Sequence, residues 1–318
     1  MKTAFKKIAV LGAGTMGPCI AQVFAVHGCD VSVWSRSEHT LASAGETARH
    51  NLDVFVREEL LSPEEADLAA ARISFTASLA EAVKDADLVL ETITESREAK
   101  QKLYLQLDSL LSEEAVLASN TSALNPFELV PPSRLKQTMI LHWYTPAQIV
   151  PLVDVVKSEQ MAPEICDAVV EFLRRCEKTP VVMKKFINGY ISNRIQLCIN
   201  QEVFFLLDNG YCTPEDIDEA VRASIIPRAM VLGLCRRIDF NGLDIAARHY
   251  LNRSYVRPPE VDMPAILAEH YEKGEFGLKT GKGLFDYTGQ DKDALLEKRD
   301  RQLFDAFRLA REFMKDPV

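Results

Sequence analysis

The chain has 318 residues, of which 47% are hydrophobic and 26% are charged, and its formal net charge is −9 at pH 7. This length and composition are typical of a globular protein with room for two domains. The negative charge argues against nucleic acid or an anionic membrane as a partner, and no apolar run reaches the roughly 20 residues that a membrane-spanning helix needs.

The first part of the chain alternates short β-rich runs with helical stretches. Candidate strands lie at 7–11, 30–34, 87–91, 115–118, 138–142, 151–156 and 180–184, and candidate helices lie at 15–27, 38–61, 96–110 and 163–177. Because strands that alternate with helices usually pair in parallel, this rhythm predicts a mainly parallel sheet covered on both faces, and therefore an α/β domain.

After residue 187 the pattern changes to helices alone. Helical periodicity runs through 190–208, 214–224, 239–251, 262–273 and 293–314, without a convincing strand between them. We therefore predict an α/β domain at 1–187 and an all-α domain at 188–318. Apolar residues along 195–207 favour helix packing between two copies, so we expect a homodimer through the second domain.

Three glycines between the first strand and the first helix form the pattern G-x-G-x-x-G, at Gly12, Gly14 and Gly17. In such a turn the first glycine permits the tight bend, the second lets the backbone approach a pyrophosphate, and the third lets helix and strand pack closely. The N–H groups of the helix N-terminus then face the phosphates. We expect a dinucleotide here, with Thr15 and Met16 of the same turn at the cofactor.

The end of the second strand lacks the acidic residue that usually binds the ribose of NAD. Ser35, Arg36 and Ser37 stand there instead. A carboxylate would bond the 2′-hydroxyl and repel a 2′-phosphate, whereas a guanidinium group and hydroxyls bind phosphate. We therefore expect NADP to be preferred. The alternative is that Arg36 is a solvated surface residue and that NAD binds without the acid.

Five later segments resemble landmarks of the 3-hydroxyacyl-CoA dehydrogenase family, in the same order along the chain. They are ASNTSAL (118–124), LHWYTPAQIVPLVDVV (141–156), INGYISNRI (187–195), EDIDEAV (215–221) and FGLKTGKGLFDY (276–287). The resemblance implies a Rossmann-type N-terminal domain, a helical C-terminal domain that dimerises, and hydride transfer at a secondary alcohol.

The resemblance also implies roles for individual residues. His142 matches the general acid/base and Asp154 matches its orienting carboxylate, while Ser122 and Asn193 would bind the reacting oxygen of the substrate. An imidazole suits this role because oxidation of an alcohol removes a proton from oxygen as hydride leaves carbon. Further matches to cofactor-binding positions are Glu95, Lys100 and Asn120. The plainer alternative is structural, with His142 a strand-end residue, Ser122 a helix cap and Asn193 a helix residue.

The chain departs from the family pattern in its proposed acid/base pair and in its charge. Asp154 replaces a glutamate, so we expect a small backbone shift or a bridging water between it and His142. Residues 51–67 hold Arg57 and six acids, which should repel the phosphates of coenzyme A; the acids are Asp53, Glu58, Glu59, Glu64, Glu65 and Asp67. The segment 223–237 resembles instead the branch that acts on free hydroxy acids such as gulonate, carnitine or a carboxylated pyridine. There, Arg228 would bind a substrate carboxylate.

We therefore predict an NADP-preferring dehydrogenase of a small hydroxy acid or its ketone, with no metal. Seven cysteines without a C-x-x-C pair favour free thiols and a cytoplasmic location. Two alternatives stay open: an NAD-dependent L-3-hydroxyacyl-CoA dehydrogenase, and a non-catalytic dinucleotide-binding protein with a structural role.

Overall fold

The computed structural model describes residues 5–253, 256–316 and 318. The chain forms two compact units, Met1–Ile191 and Ser192–Val318. The sequence analysis placed the domain boundary four residues earlier, between 187 and 188, and that boundary stays a prediction.

The first unit is built on an eight-stranded sheet with the strand order β3-β2-β1-β4-β5-β6-β7-β8. The strands are β1 (Lys7–Leu11), β2 (Asp30–Trp34), β3 (Ile73–Thr76), β4 (Leu88–Glu91), β5 (Val116–Ser119), β6 (Thr138–Trp143), β7 (Leu152–Lys157) and β8 (Thr179–Val182). β7 is antiparallel to β6, and every other neighbouring pair of these strands is parallel. The predicted mainly parallel α/β sheet is confirmed.

Helices flank the sheet in the first unit. They are α1 (Gly17–Val26), α2 (Glu38–Arg57), α3 (Pro63–Ala71), α4 (Leu79–Ala82), α5 (Arg97–Leu110) and α6 (Pro163–Arg175). The predicted helix at 38–61 is too long. α2 is followed by Glu59, whose positive φ of 57° is incompatible with a helix. A capping box of Ser62 and Glu65 then begins α3, which the sequence analysis missed.

The strand β3 was also missed. It has four residues, none of them buried, and it lies at the edge of the sheet beside β2. Its sequence, ISFT, alternates apolar and polar residues, but over four residues this pattern is too short to distinguish a strand from a loop.

The core of the first unit lies on both faces of the sheet. Along β1, Ile8 and Val10 point into a cluster with residues of α1 and α6, whereas Ala9 and Leu11 point into a cluster with residues of α5. This alternation follows from the period of two residues in a strand. From β1 the chain builds the sheet outward first through β2 and β3 and then, on the other side of β1, from β4 onward. Open α/β sheets bind ligands at such a switch point, at the carboxyl ends of the strands.

The second unit is helical. Its helices are α7 (Ser192–Asp208), α8 (Pro214–Ala220), α9 (Ile226–Asn241), α10 (Leu243–Leu251), α11 (Ala265–Glu272) and α12 (Lys292–Lys315), and a π-helical turn, Val221–Ile225, joins α8 to α9. The predicted helical character is confirmed, although α9 was not predicted as a helix and α10 begins at Leu243 rather than 239. None of the residues described in these helices is buried.

No helix in the described ranges is long and apolar enough to span a membrane. The seven cysteines are not joined by disulfide bonds in this structure.

Candidate active site

The glycine turn after β1 has the shape that its three glycines predict. A Cβ atom on Gly12, whose φ is +128°, would lie 2.6 Å from the carbonyl oxygen of Thr92, and one on Gly17 would lie 1.9 Å from the carbonyl oxygen of Gly12. Both positions therefore require glycine. A Cβ atom on Gly14 would meet no atom within 4 Å. The turn is thus closed toward the sheet and open at Gly14, where a pyrophosphate would approach.

The helix that follows this turn presents its N-terminus without a side-chain cap. Met16 is the cap residue of α1 and makes no side-chain capping bond, and the first turn contains Pro18. Thr15 is exposed and Met16 is half-buried. Free backbone N–H groups at a helix N-terminus bind anions, so this local geometry fits the phosphates of a dinucleotide.

At the end of β2, the three residues of the proposed phosphate site are used differently. The Ser37 hydroxyl accepts a hydrogen bond from the Thr40 N–H at 3.2 Å and so caps α2. The Ser35 hydroxyl accepts a bond from the Ser37 N–H at 3.3 Å. Arg36 is exposed and forms no ion pair with the residues that the structure describes. Arg36 is therefore the side chain that is available to a ligand at this position.

A buried ionic cluster connects β4 to α5. Lys100 Nζ lies 2.6 Å from Glu91 Oε1 and 3.3 Å from Glu95 Oε2. The other oxygen of Glu91 accepts bonds from the Tyr104 hydroxyl at 2.6 Å and the Ser119 hydroxyl at 2.7 Å. Burial, with the charge of Glu91, raises the pKa of Tyr104 well above its usual value. Lys100 is itself buried, so the structure places this predicted cofactor residue inside the scaffold.

Glu95 holds the loop that carries Ser122. Its Oε1 accepts bonds from the Thr121 hydroxyl at 2.5 Å and from the N–H groups of Ser122 at 3.0 Å and Ala123 at 2.8 Å. Desolvation opposes the charge of Glu95, but these bonds and the charge of Lys100 outweigh it and lower the pKa of Glu95 below its usual value. Glu95 is therefore an ionised anchor that orients the loop.

Asn120 joins the ends of β5 and β6. Its side-chain oxygen accepts a bond from the Trp143 N–H at 2.7 Å, and its own N–H donates to the Glu91 carbonyl at 2.8 Å. This clamp lies beside the strand end that carries His142.

His142 contacts two of the predicted catalytic residues. Its Nδ1 lies 3.2 Å from Asp154 Oδ2, and its Nε2 lies 3.2 Å from the Ser122 hydroxyl. His142 and Asp154 are both buried. The contact between them is direct and needs no bridging water, because the two residues are paired directly across β6 and β7. The expected backbone shift stays a prediction. A carboxylate at Nδ1 favours the tautomer whose Nε2 accepts a proton.

Two tyrosines that the sequence analysis did not single out enclose the imidazole. The ring of Tyr190 stacks on His142 with a centroid distance of 4.5 Å, and Tyr144 meets it edge-on at 4.6 Å. The Tyr190 hydroxyl donates to the Thr121 carbonyl at 2.5 Å, and the Tyr144 hydroxyl donates to Asp154 Oδ2 at 2.6 Å. A tyrosine hydroxyl inside a fold needs a hydrogen-bond partner, and this general requirement was the only available signal that tyrosines near the motif would join the site.

Asn193 and Arg228 belong to the second unit. Asn193 is half-buried in the first turn of α7. Arg228 is exposed on α9, where its guanidinium group donates to the carbonyl and the hydroxyl of Ser224 at 2.9 and 2.6 Å. Their predicted contacts with substrate stay predictions.

The acidic stretch at 51–67 carries less free negative charge than its composition indicates. Arg49, just outside it, lies 2.9 Å from Asp53 and 2.6 Å from Asp67. The single positive charge of Arg49 is therefore shared by two of the six carboxylates, which lowers the net negative charge of this surface and weakens the argument that it repels coenzyme A.

Comparison with known proteins places these features in a family. The chain matches two family models, described as "3-hydroxyacyl-CoA dehydrogenase, NAD binding domain" over residues 7–186 and "3-hydroxyacyl-CoA dehydrogenase, C-terminal domain" over residues 189–287.

Individual relatives agree with the family match. The chain is 31% identical over 304 residues to 5-formyl-3-hydroxy-2-methylpyridine 4-carboxylate 5-dehydrogenase of Mesorhizobium japonicum, covering 94% of this chain and 96% of that protein. It is 27% identical to 3-hydroxybutyryl-CoA dehydrogenase of Mycobacterium tuberculosis, covering 90% and 100%. A crystal structure of the same pyridine-carboxylate dehydrogenase activity, described as an NAD+ dependent dismutase, superposes with a TM-score of 0.85 at 28% identity, covering 97% and 99%. The chain therefore belongs to the 3-hydroxyacyl-CoA dehydrogenase family, as an oxidoreductase with an NAD-binding domain of Rossmann type and a helical C-terminal region.

Proposed function

We propose that the protein transfers a hydride between a nicotinamide dinucleotide and the secondary alcohol or ketone of a small hydroxy acid that carries no coenzyme A. The observation that carries the proposal is the direct contact of His142 with both Asp154 and Ser122. The likeness to an enzyme whose name specifies a pyridine carboxylate supports a substrate without a CoA group.

The three side chains divide the proton chemistry among them. With Nδ1–H donated to Asp154, the lone pair of His142 Nε2 is free to take the hydroxyl proton of an alcohol, and to return it when a ketone is reduced. The Ser122 hydroxyl, held by Glu95 through the loop backbone, donates to the substrate oxygen as negative charge develops on it. Asn193 is proposed as a second donor to that oxygen. The bound nicotinamide supplies or accepts the hydride.

The finer part of the proposal concerns the cofactor. The position directly after β2 holds Ser35 rather than an acid, and the exposed Arg36 is available to a 2′-phosphate, which together favour NADP over NAD. The related pyridine-carboxylate dehydrogenase is described as NAD+ dependent, so NAD is the alternative cofactor.

Arg228 is proposed to bind the substrate carboxylate through its guanidinium group, which would then exchange its bonds to Ser224 for bonds to the substrate.

A second candidate function is an NAD-dependent L-3-hydroxyacyl-CoA dehydrogenase. It is favoured by the pairing of Arg49 with Asp53 and Asp67, which reduces the repulsion of a polyphosphate. A non-catalytic role is disfavoured by the intact contacts of His142.

We also propose that the protein is a homodimer through its second unit. Large apolar side chains are exposed there in the single chain, and Leu243 and Leu251 keep 65% and 81% of their surface in contact with solvent. Exposed apolar surface of this extent is typical of a protein–protein interface. Light scattering coupled to size-exclusion chromatography should give a mass near twice the 35.6 kDa of one chain.

The proposed function is tested by a substrate panel. Acetoacetyl-CoA and a set of free keto acids are each offered with NADPH and with NADH, and the loss of reduced cofactor is followed by absorbance. We expect the unaltered protein to turn over a free keto acid and the His142→Asn variant to show no turnover of it. Preferred turnover of acetoacetyl-CoA would favour the second candidate, and a fully active His142→Asn would contradict the acid/base assignment.

A further inference from the structure

Two hydrogen-bond donors converge on one oxygen of Asp154. The Tyr144 hydroxyl lies 2.6 Å from Oδ2, and His142 Nδ1 lies 3.2 Å from the same atom. The other oxygen, Oδ1, is buried and has no hydrogen-bond partner among the described residues. The carboxylate therefore depends on these two donors, and the shorter of the two bonds is the one to the phenol.

A buried carboxylate with so few donors resists being charged. Asp154 is fully buried on β7, and removing a carboxylate from water disfavours its ionised form. A base at His142 requires the opposite arrangement, because the imidazole must be neutral while the carboxylate beside it is ionised.

The tyrosine supplies what the pair lacks. A phenol hydroxyl donates without carrying charge, and hydrogen bonds to an ionised carboxylate stabilise it. Tyr144 lies two residues from His142 on the same side of the chain, and its ring also packs edge-on against the imidazole. Asp154 stands where the family motif has a glutamate, so the carboxylate that Tyr144 bonds is the one in which this chain departs from that motif.

We propose that Tyr144 is a positioning residue for the acid/base pair: its hydroxyl keeps Asp154 ionised while His142 is neutral, and so sets the pH at which His142 works as a base. This rests on the proposed function, in which His142 takes the proton of the substrate alcohol. Tyr144 acts through Asp154 and needs no contact with the substrate.

The groups that face the imidazole are few. Asp154 approaches from β7, Tyr144 from the position directly after β6, Tyr190 from the segment before α7, and the Ser122 hydroxyl from the loop after β5. Glu95 lies one layer further out, where it holds the loop of Ser122. Of these, Tyr144 and His142 are the groups that bond the Asp154 carboxylate.

The experiment is an NMR titration of the histidine rings, which needs no substrate. The chain has six histidines, and the resonance that is missing from His142→Asn assigns His142. In Tyr144→Phe we expect the titration midpoint of His142 to rise by about half a pH unit or more, because Asp154 then presents its charge to the imidazole alone.

A double variant separates this effect from a change in packing. Asp154→Asn removes the charge that Tyr144 stabilises, so Tyr144→Phe should move the His142 midpoint in the native background and leave it in place in the Asp154→Asn background. Tyr190→Phe is the matched control, because its ring also packs on His142 while its hydroxyl bonds to Thr121. We expect it to leave the midpoint unchanged.

The proposal is overturned if Tyr144→Phe leaves the midpoint unchanged or lowers it, if the shift persists in Asp154→Asn, or if Tyr190→Phe gives the same shift. In the substrate assay, a loss of alcohol oxidation in Tyr144→Phe that is regained at higher pH supports it. Full turnover by His142→Asn would contradict the proposed function instead, while the titration would still decide the role of Tyr144.

Discussion

Asp154 lies directly across the antiparallel strand pair from His142, so sheet register alone brings the carboxylate to 3.2 Å from the imidazole. An aspartate is shorter than the glutamate in the family motif that this segment resembles. Asp154 nevertheless reaches His142 because the two residues lie on neighbouring strands. The pair is buried and its orientation is set by the backbone, which is the arrangement that a general base requires.

Replacement of Asp154 by asparagine should lower kcat by about 10²-fold or more, because an amide no longer selects the Nδ1–H tautomer or stabilises the imidazolium ion. Cofactor affinity should be unchanged. Steady-state kinetics with the keto acid found in the panel measures the first, and fluorescence titration measures the second. Asp167→Asn, an exposed change on α6, is the control; equal activity of the two variants would contradict the role of Asp154.

Replacement of Arg36 by alanine should weaken NADPH binding by about tenfold or more and leave NADH binding unchanged, since a charge-assisted contact to the 2′-phosphate is lost. Trp34, next to this site at the end of β2, offers a fluorescence signal for the titration. Lys84→Ala removes an exposed cation elsewhere on the same unit and should change neither affinity. Tighter binding of NADH than of NADPH by the unaltered protein would rule out the preference for NADP.

Alanine at Gly17 should lower the stability of the fold, whereas alanine at Gly14 should lower cofactor affinity. Gly17→Ala forces a Cβ atom to 1.9 Å from the Gly12 carbonyl oxygen, so we expect a loss of about 2 kcal/mol or more in the free energy of unfolding. Gly14→Ala adds its methyl group to open space and should cost at most about 1 kcal/mol, while cofactor affinity falls by about tenfold because the backbone no longer approaches the pyrophosphate. Urea unfolding and cofactor titration of both variants test this. An unaltered cofactor affinity in Gly14→Ala would show that the turn serves packing alone.

Replacement of Lys100 by methionine should destabilise the protein by about 3–5 kcal/mol, because it leaves the buried carboxylate of Glu91 without its cation. The matched control is Lys102→Met, an exposed change on the same helix, which should cost no more than about 0.5 kcal/mol. Chemical denaturation compares the two. Similar stabilities would show that the Lys100–Glu91 pair adds nothing to the fold.

Local sequence signals were sufficient wherever the physics is local. The turn from Gly12 to Gly17 could be predicted because its steric demands fall on the glycines themselves. The strand that ends at His142 could be predicted from its apolar run, and the family landmarks identified Ser122 and Asp154 beside it. The edge strand β3 was missed because its alternating pattern covers only four residues, and the helix α3 was missed because an Ala-rich helix carries little periodic signal.

The network under the site could not be predicted in the same way. The sequence marked Lys100 as a cofactor-binding position and did not single out Glu91, and only the folded chain shows the two buried together beside Tyr104 and Ser119. Lys100 accordingly holds the scaffold from within.

The sequence by itself determined the α/β and helical parts of the chain, the dinucleotide turn and the family, because periodicity, glycine spacing and ordered motifs are properties of neighbouring residues. The motif resemblance had already predicted that His142 pairs with Asp154, and only the tertiary structure decided how that contact is made and what joins it: register across β6 and β7 sets the two residues side by side, and packing brings the Tyr144 hydroxyl to the same carboxylate oxygen. Such contacts join residues ten or more positions apart, where burial and distance act and local pattern carries no information.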